Sequence, residues 1–253
     1  MNALQPPAAR SENAAGPAHE SPGSIPLVLV AVAAVGLRLA AARDDLVLDE
    51  IWSWRIASKV DSAAQIFVTY VDNNHILNTL VLYALGPRAP LWAYRLPAVV
   101  AGILALGFAL GLAKRQGSRA AFNVLVLLSF SHLLILFGTE ARGYGYLACC
   151  TLGAWWALES YLDRPRLRYA SAFGVISSLG FLSHATFLFA WLAFGIYSAL
   201  KLTLRRGRWQ RLVVLNALPV LTCVGLLFAY FEGMSIGGGN PIPTFDTLLA
   251  TLS

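Results

Sequence analysis

With 253 residues, 57% of them hydrophobic and only 13% charged, the chain departs from ordinary soluble domains, in which about a quarter of residues are charged. The class that remains is a polytopic membrane protein. A net charge of +6 does not argue for nucleic acid, because most basic residues stand in short loops between apolar segments, where they set membrane orientation.

Residues 1–24 are polar and rich in Pro, Ala and Ser. They lack the apolar core and small-residue cleavage site of a secretory signal and read as a disordered cytoplasmic tail. Apolar stretches follow at 25–42, 90–113, 120–138, 141–162 and 212–231, each near the roughly 20 residues needed to cross a bilayer. The segment 169–204 is too long for one crossing: at about 1.5 Å per residue it overshoots a hydrocarbon core of about 30 Å. Two crossings that turn near Ser183 and His184 fit it better.

The loops 114–119, 163–168 and 201–211 hold 11 of the 19 Lys and Arg residues and are expected on the cytoplasmic side. Both ends of 169–204 then lie on that side, which requires an even number of crossings. The expected fold is therefore all-α and polytopic, with about seven transmembrane helices and the N-terminus inside. The apolar segment 75–85 is too short to span and is stopped by Gly86 and Pro87, so it reads as an interfacial or re-entrant helix. It belongs to a long first external loop, 43–89; a second external segment runs from 232 to 253. Nine of the thirteen acidic residues fall on this outer side, and any chemistry is expected there. The three cysteines, all inside apolar runs, have no metal-ligand spacing.

Three clusters on that face carry groups able to do chemistry. Asp49 and Glu50 stand in LDEIWSW, with Trp52 and Trp54 suited to the interface. An acid held beside apolar rings loses hydration and gains basicity; two solvated loop acids fit the same letters. The second cluster, DNNH at 72–75, brings Asp72, Asn74 and His75 to the start of a short helix. There, hydroxyls or phosphate oxygens can be bound, and ordinary helix capping is the plainer reading. The third, TEARGYGY at 139–146, crowds Glu140, Arg142, Tyr144 and Tyr146 at the boundary, where a guanidinium suits phosphate. A structural ion pair is the alternative. His184, at the expected hairpin turn, shares this side, and His132 is expected inside a crossing as a packing hydrogen-bonder. The chain shows no phosphate-loop, dinucleotide, serine-elbow or HExxH motif.

The order of these motifs is more specific than any one of them. LDEIWSW at 48–54, DNNHILNTLVLY at 72–83, YRLPAVVAG at 94–102 and TEARGYGYL at 139–147 together resemble the GT-C membrane glycosyltransferases. The likeness is strongest to the branch that includes protein O-mannosyltransferases and the aminoarabinose transferase of lipid A, families 39 and 83. The resemblance runs from residue 25 onward. Where many relatives read H-P-P-L this chain has His75, Ile76, Leu77 and Asn78. Relatives also continue for several more helices, so a truncated chain or one that needs a partner is expected.

The resemblance implies sugar transfer from a polyprenyl-phosphate donor to a protein, lipid or polysaccharide acceptor on the external face, with inversion. Asp49 matches the family's catalytic base, Glu50 the second acid of that motif, and Glu140 the later acid that positions acceptor or metal. Arg142 is placed to hold the carrier phosphate, with Asp72, Asn74, His75, Tyr144 and His184 as further substrate contacts. A divalent cation gathered by Asp49, Glu50 and Glu140 is compatible with oxygen-ligand chemistry. A flippase for a lipid-linked saccharide, or a non-catalytic partner, are the competing functions.

Overall fold

The computed structural model describes residues 24–204, 209–230 and 233. The expected tail over 1–24, apart from the helix start at Ser24, and the expected external segment over 232–253, apart from Gly233, lie outside them. Eleven α-helices are found among the described residues, with no β-strand. The chain is an all-α membrane protein.

The first helix, α1 (Ser24–Ala41), is followed by α2 (Leu48–Lys59), the single turn α3 (Ala63–Ile66) and α4 (Ile76–Leu85). Glycine at 86, with φ of 76°, ends α4 where the sequence places its stop. Next comes α5 (Leu91–Ala113), 23 residues and about 34 Å at the usual helical rise. A 3₁₀ turn at Lys114–Gln116 leads into α6 (Ser118–Ser129) and α7 (His132–Phe137). The bundle is completed by α8 (Gly143–Asp163), α9 (Leu167–Ser183), α10 (Phe187–Leu204) and α11 (Gln210–Ala229). The turn between α9 and α10 falls at 184–186, where the hairpin was expected.

Three of these helices are long and apolar enough by length and composition to cross a membrane: α5 with its 3₁₀ turn, α10 and α11. The 120–138 segment is not the single helix anticipated. It breaks at Phe130 and Ser131 into α6 and α7, and the break has a visible partner. Arg38, on α1 and only 1% exposed, donates from Nη1 to the Ser129 carbonyl at 3.4 Å and from Nη2 to that of Leu128 at 3.4 Å. It satisfies the carbonyl end of α6 that a continuous helix would have bonded internally. His132, expected to pack by a hydrogen bond, is an exposed residue at the start of α7 whose ring has no hydrogen bond among the described residues.

The largest core joins α8, α9, α10 and α11 around Leu158, Phe173, Phe187 and Leu215, all at most 2% exposed. Helix ends sort into two sets. On one side, the Tyr230 hydroxyl at the end of α11 lies 3.0–3.2 Å from the carbonyls of Thr69, Val71 and Asn74, among which its single proton is donated, and this ties the loop before α4 to the bundle. On the other, Arg115 bonds Asp163 at 2.8 Å and Lys201 bonds Glu159 at 2.8 Å, which joins the α5–α6, α8–α9 and α10 ends. The loops 114–119 and 163–168 and the last turn of α10 thus share one end of the bundle.

Close packing of α9 on α10 depends on Gly180. A β-carbon there would lie 2.5 Å from a ring carbon of the fully buried Phe187. Gly180→Ala is expected to lower unfolding stability by about 1–3 kcal/mol through overpacking. Adding Phe187→Leu should recover part of that loss, as read from thermal unfolding midpoints in detergent.

Candidate active site

Glu50 organises the outer end of the bundle. It is the third residue of α2, 0% exposed, and its Oε2 accepts the Val47 backbone N–H at 2.8 Å, as a residue at that position does in a capping box. Arg95, from the second turn of α5, donates Nε to Oε1 at 2.8 Å and Nη2 to Oε2 at 2.5 Å. A fourth bond comes from the backbone N–H of Ala141, 2.6 Å from Oε1. The same guanidinium reaches the carbonyls of Ala41, Asp44 and Asp45 at 2.7–3.2 Å. One carboxylate and one arginine thus pin together the end of α1, the start of α2, α5 and the α7–α8 turn.

Asp49 is one residue earlier, about 100° around the helix. Its side chain is 54% exposed, and its Oδ2 accepts Arg142 Nη1 at 2.8 Å. The same nitrogen is 4.0 Å from Glu140 Oε2. Below it lies the Tyr144 ring, with its centroid 4.8 Å from the guanidinium carbon. The tryptophans do not enclose Asp49; desolvation falls on Glu140, which is 8% exposed. Burial pushes the Glu140 carboxyl above its usual range, with Arg142 opposing and Glu50 adding to the rise.

His75 and His184 complete the cluster. Their rings stack with centroids 4.8 Å apart, and Tyr144 lies 5.9 Å from the first and 5.0 Å from the second. The Thr186 backbone N–H donates to His184 Nδ1 at 3.2 Å, so the ring proton of the neutral form is on Nε2. Burial, then the neighbouring His184 and Arg142, bring the His75 pKa down to about 3. This crowding needs glycine at 143. A β-carbon would run into the Ser183 carbonyl oxygen and come within 2.9 Å of His75 Cγ. Four buried polar atoms around the turn have no partner among the described residues: Glu140 Oε2, Arg142 Nε, His75 Nε2 and Asn78 Oδ1. Buried polar groups are rarely left so, and a gathering of them marks a place where a ligand or water supplies the missing bonds.

Six of the expected residues therefore come together: Asp49, His75, Glu140, Arg142, Tyr144 and His184. Glu50 adjoins them with both of its oxygens bonded to donors. Among the described residues no three His, Cys, Asp or Glu side chains are gathered as a metal site would gather them. Asn74 faces elsewhere. Its Nδ2 bonds the Ile66 and Thr69 carbonyls at 2.8 Å, which shapes the loop before α4. Asp72 is exposed with no hydrogen bond among the described residues. The asparagines that do reach the site are Asn73, bonded to the Asp49 carbonyl at 3.1 Å, and Asn78, bonded to the Ala141 carbonyl at 2.9 Å. Arg95 received no role from sequence, although an arginine on the first turns of a membrane helix is itself a signal.

A family model described as dolichyl-phosphate-mannose-protein mannosyltransferase matches residues 78–228. The chain belongs to this family. It is a membrane glycosyltransferase of the GT-C type. The match takes in Arg95, Glu140, Arg142, Tyr144 and His184; it begins after Asp49 and Glu50, whose place beside them rests on the geometry above. No curated protein and no solved structure gives a significant match.

Two outcomes follow from the pairing and burial. Arg95→Met leaves Glu50 buried without its cation and is expected to cost about 3–5 kcal/mol, whereas Arg95→Met with Glu50→Leu should cost clearly less; unfolding midpoints of the three proteins test this. His75 binds its proton near 6.5 when unfolded and only near 3 when folded. Stability is therefore complete above 6.5 and is lost as pH falls from there toward 3. His75→Gln should flatten the fall in midpoint between pH about 7.5 and about 5, leaving the smaller slope from His184, whose pKa is also lowered by burial.

Proposed function

We propose that the chain transfers a sugar from a polyprenyl-phosphate carrier to an acceptor hydroxyl on the external face of the cell membrane, with inversion at the anomeric carbon. The carrying observation is the 2.8 Å pair between half-exposed Asp49 and Arg142, beside buried Glu140. Of the three acids, Asp49 alone combines solvent access with a place in the cluster, so it is the general base. Family membership supports a lipid-linked donor and, in general, a protein acceptor. The N-terminus is cytoplasmic, and about seven crossings put the cluster outside.

The pairing suggests an order of events. At rest, Arg142 neutralises Asp49. A donor phosphate that enters brings a second anion to the guanidinium and competes for it, which frees the carboxylate as the acceptor arrives. Asp49 then takes the acceptor's hydroxyl proton while that oxygen attacks the anomeric carbon from the face opposite the phosphate. The bond from carbon to phosphate oxygen breaks with its electron pair on the phosphate. Charge grows there as the bond breaks, and a fixed cation stabilises the transition state more than the ground state. Glu140, held toward its neutral form by burial, orients acceptor or sugar hydroxyls, and His75 and Tyr144 offer a hydrogen bond and a ring face. The chemistry runs at the bilayer rim because the carrier's tail stays in lipid while its phosphate meets Arg142 at headgroup depth.

Asp49→Asn should reduce transfer from a polyprenyl-phosphate sugar by about 10²- to 10⁴-fold while the protein inserts and unfolds as the native chain does. Turnover near the native rate in that variant would remove Asp49 from the mechanism. Movement of the lipid-linked sugar across a vesicle without release of carrier phosphate would mark a flippase instead.

A further inference from the structure

The end of the bundle opposite the candidate active site carries a second feature, unrelated to the transfer reaction. Between α5, α6, α8 and α10 lies a groove of about 350 Å³. Its floor is apolar: Leu112, Val124, Leu128, Leu152 and Trp155 line it, and the indole is 43% exposed. Its mouth is polar, formed by Arg115, Gln116, Glu159 and Tyr197. Arg115 is fixed there, bonded to Asp163 at 2.8 Å and Ser160 Oγ at 3.0 Å, with its side chain still 30% exposed. Lys201 bonds Glu159 at 2.8 Å and the Tyr197 hydroxyl at 3.0 Å, which holds the α10 wall in place.

We propose that this groove is a binding site for one anionic glycerophospholipid, its acyl chain along Leu152 and Trp155 and its phosphate at Arg115. Three features select that occupant. The groove sits at the ends of membrane helices, where chain and headgroup meet. A floor with this composition takes an acyl chain, and Trp155 and Tyr197 stand where indole and phenol rings favour the interface. The flanking loops 114–119 and 163–168 carry three cations each and Lys201 adds another, against the two acids Asp163 and Glu159, an excess that draws net negative headgroups over zwitterionic ones. The site depends on the chain's being a membrane protein and not on which sugar it moves, so its failure would leave the transferase reading intact.

The test is quenching of Trp155 by lipids with brominated acyl chains, in the purified full-length chain in mixed micelles. Subtracting the signal of Trp155→Phe isolates this tryptophan. Brominated phosphatidylglycerol should half-quench it at about fivefold lower mole fraction than brominated phosphatidylcholine. Val124→Phe, which fills the groove from α6, should weaken quenching by both lipids with an unfolding midpoint near that of the native chain. Arg115→Gln should erase the preference between the two while leaving acyl quenching in place. Equal half-quenching by the two lipids, or quenching indifferent to Val124→Phe, would overturn the proposal. Protection of Trp155 from both lipids, with dimers on cross-linking, would also overturn it and assign the groove to a second copy.

Discussion

A carboxylate that has lost all contact with water is tolerated only when its charge and lone pairs are answered. Glu50 meets that demand with two bonds from Arg95 and two backbone N–H groups, one from its own helix start and one from Ala141. Because these donors come from segments as far apart as 47 and 141, satisfying one side chain fixes the relative placement of four segments. The ion pair is weak evidence for net stability, since a matched apolar pair would avoid its desolvation cost. What it supplies is register. With Glu50 turned inward and locked, the adjacent Asp49, about 100° around the helix, is left facing Arg142 and solvent. The two acids thus divide into a fixed residue and an open one, and a shift of the pairing by one residue would exchange their roles.

Local patterning carried much of this fold in the sequence. Apolar length and loop charge located the long helices and the α9–α10 turn, and Gly86 with Pro87 marked the end of α4. Helical spacing and membrane depth also brought Glu140, Arg142 and Tyr144 into one cluster. What remained hidden was non-local or compensatory. Arg95 meets Glu50 across 45 residues, and nothing near either residue announces the pairing. The α6–α7 break has no proline to signal it; its carbonyls are bonded by an arginine on α1. The DNNH motif was legible as a polar turn, but its letters did not reveal which side chain faces where. Asn74 closes its own loop, Asp72 points to solvent, and Asn73 and Asn78 make the cross-segment bonds.

Glycine explains how so many polar groups can meet at one turn. Gly143 lets the first turn of α8 pass beneath the Ser183 carbonyl and His75, and Gly102 lets α5 approach Gly138, whose carbonyl oxygen would be 3.2 Å from an added β-carbon. Backbone close to backbone leaves no room for water in bulk. The low local polarity that follows raises the Glu140 carboxyl and keeps His75 neutral. Steric fit and proton affinity at this site thus have a common origin in the glycines that let backbones meet there.

The two ends of α8 show why the candidate site was placed at one of them. At the far end, Arg115, Glu159, Asp163 and Lys201 bond one another in a network in which each charge has an opposite partner. Such a network holds helix ends together. At the near end, Asp49 and Glu140 present two carboxyl groups to the single guanidinium of Arg142, with burial pushing Glu140 toward its neutral form, and atoms of Glu140, Arg142 and His75 remain buried without partners among the described residues. A purely structural cluster would be selected toward saturation, because each open buried valence costs on the order of 1–3 kcal/mol. Arg142 lies between these two carboxyl groups, and in the proposed reaction a donor phosphate is the anion that would compete for it. The unsaturated end is therefore the one at which the transfer is proposed, and the saturated end the one at which a lipid is proposed to settle.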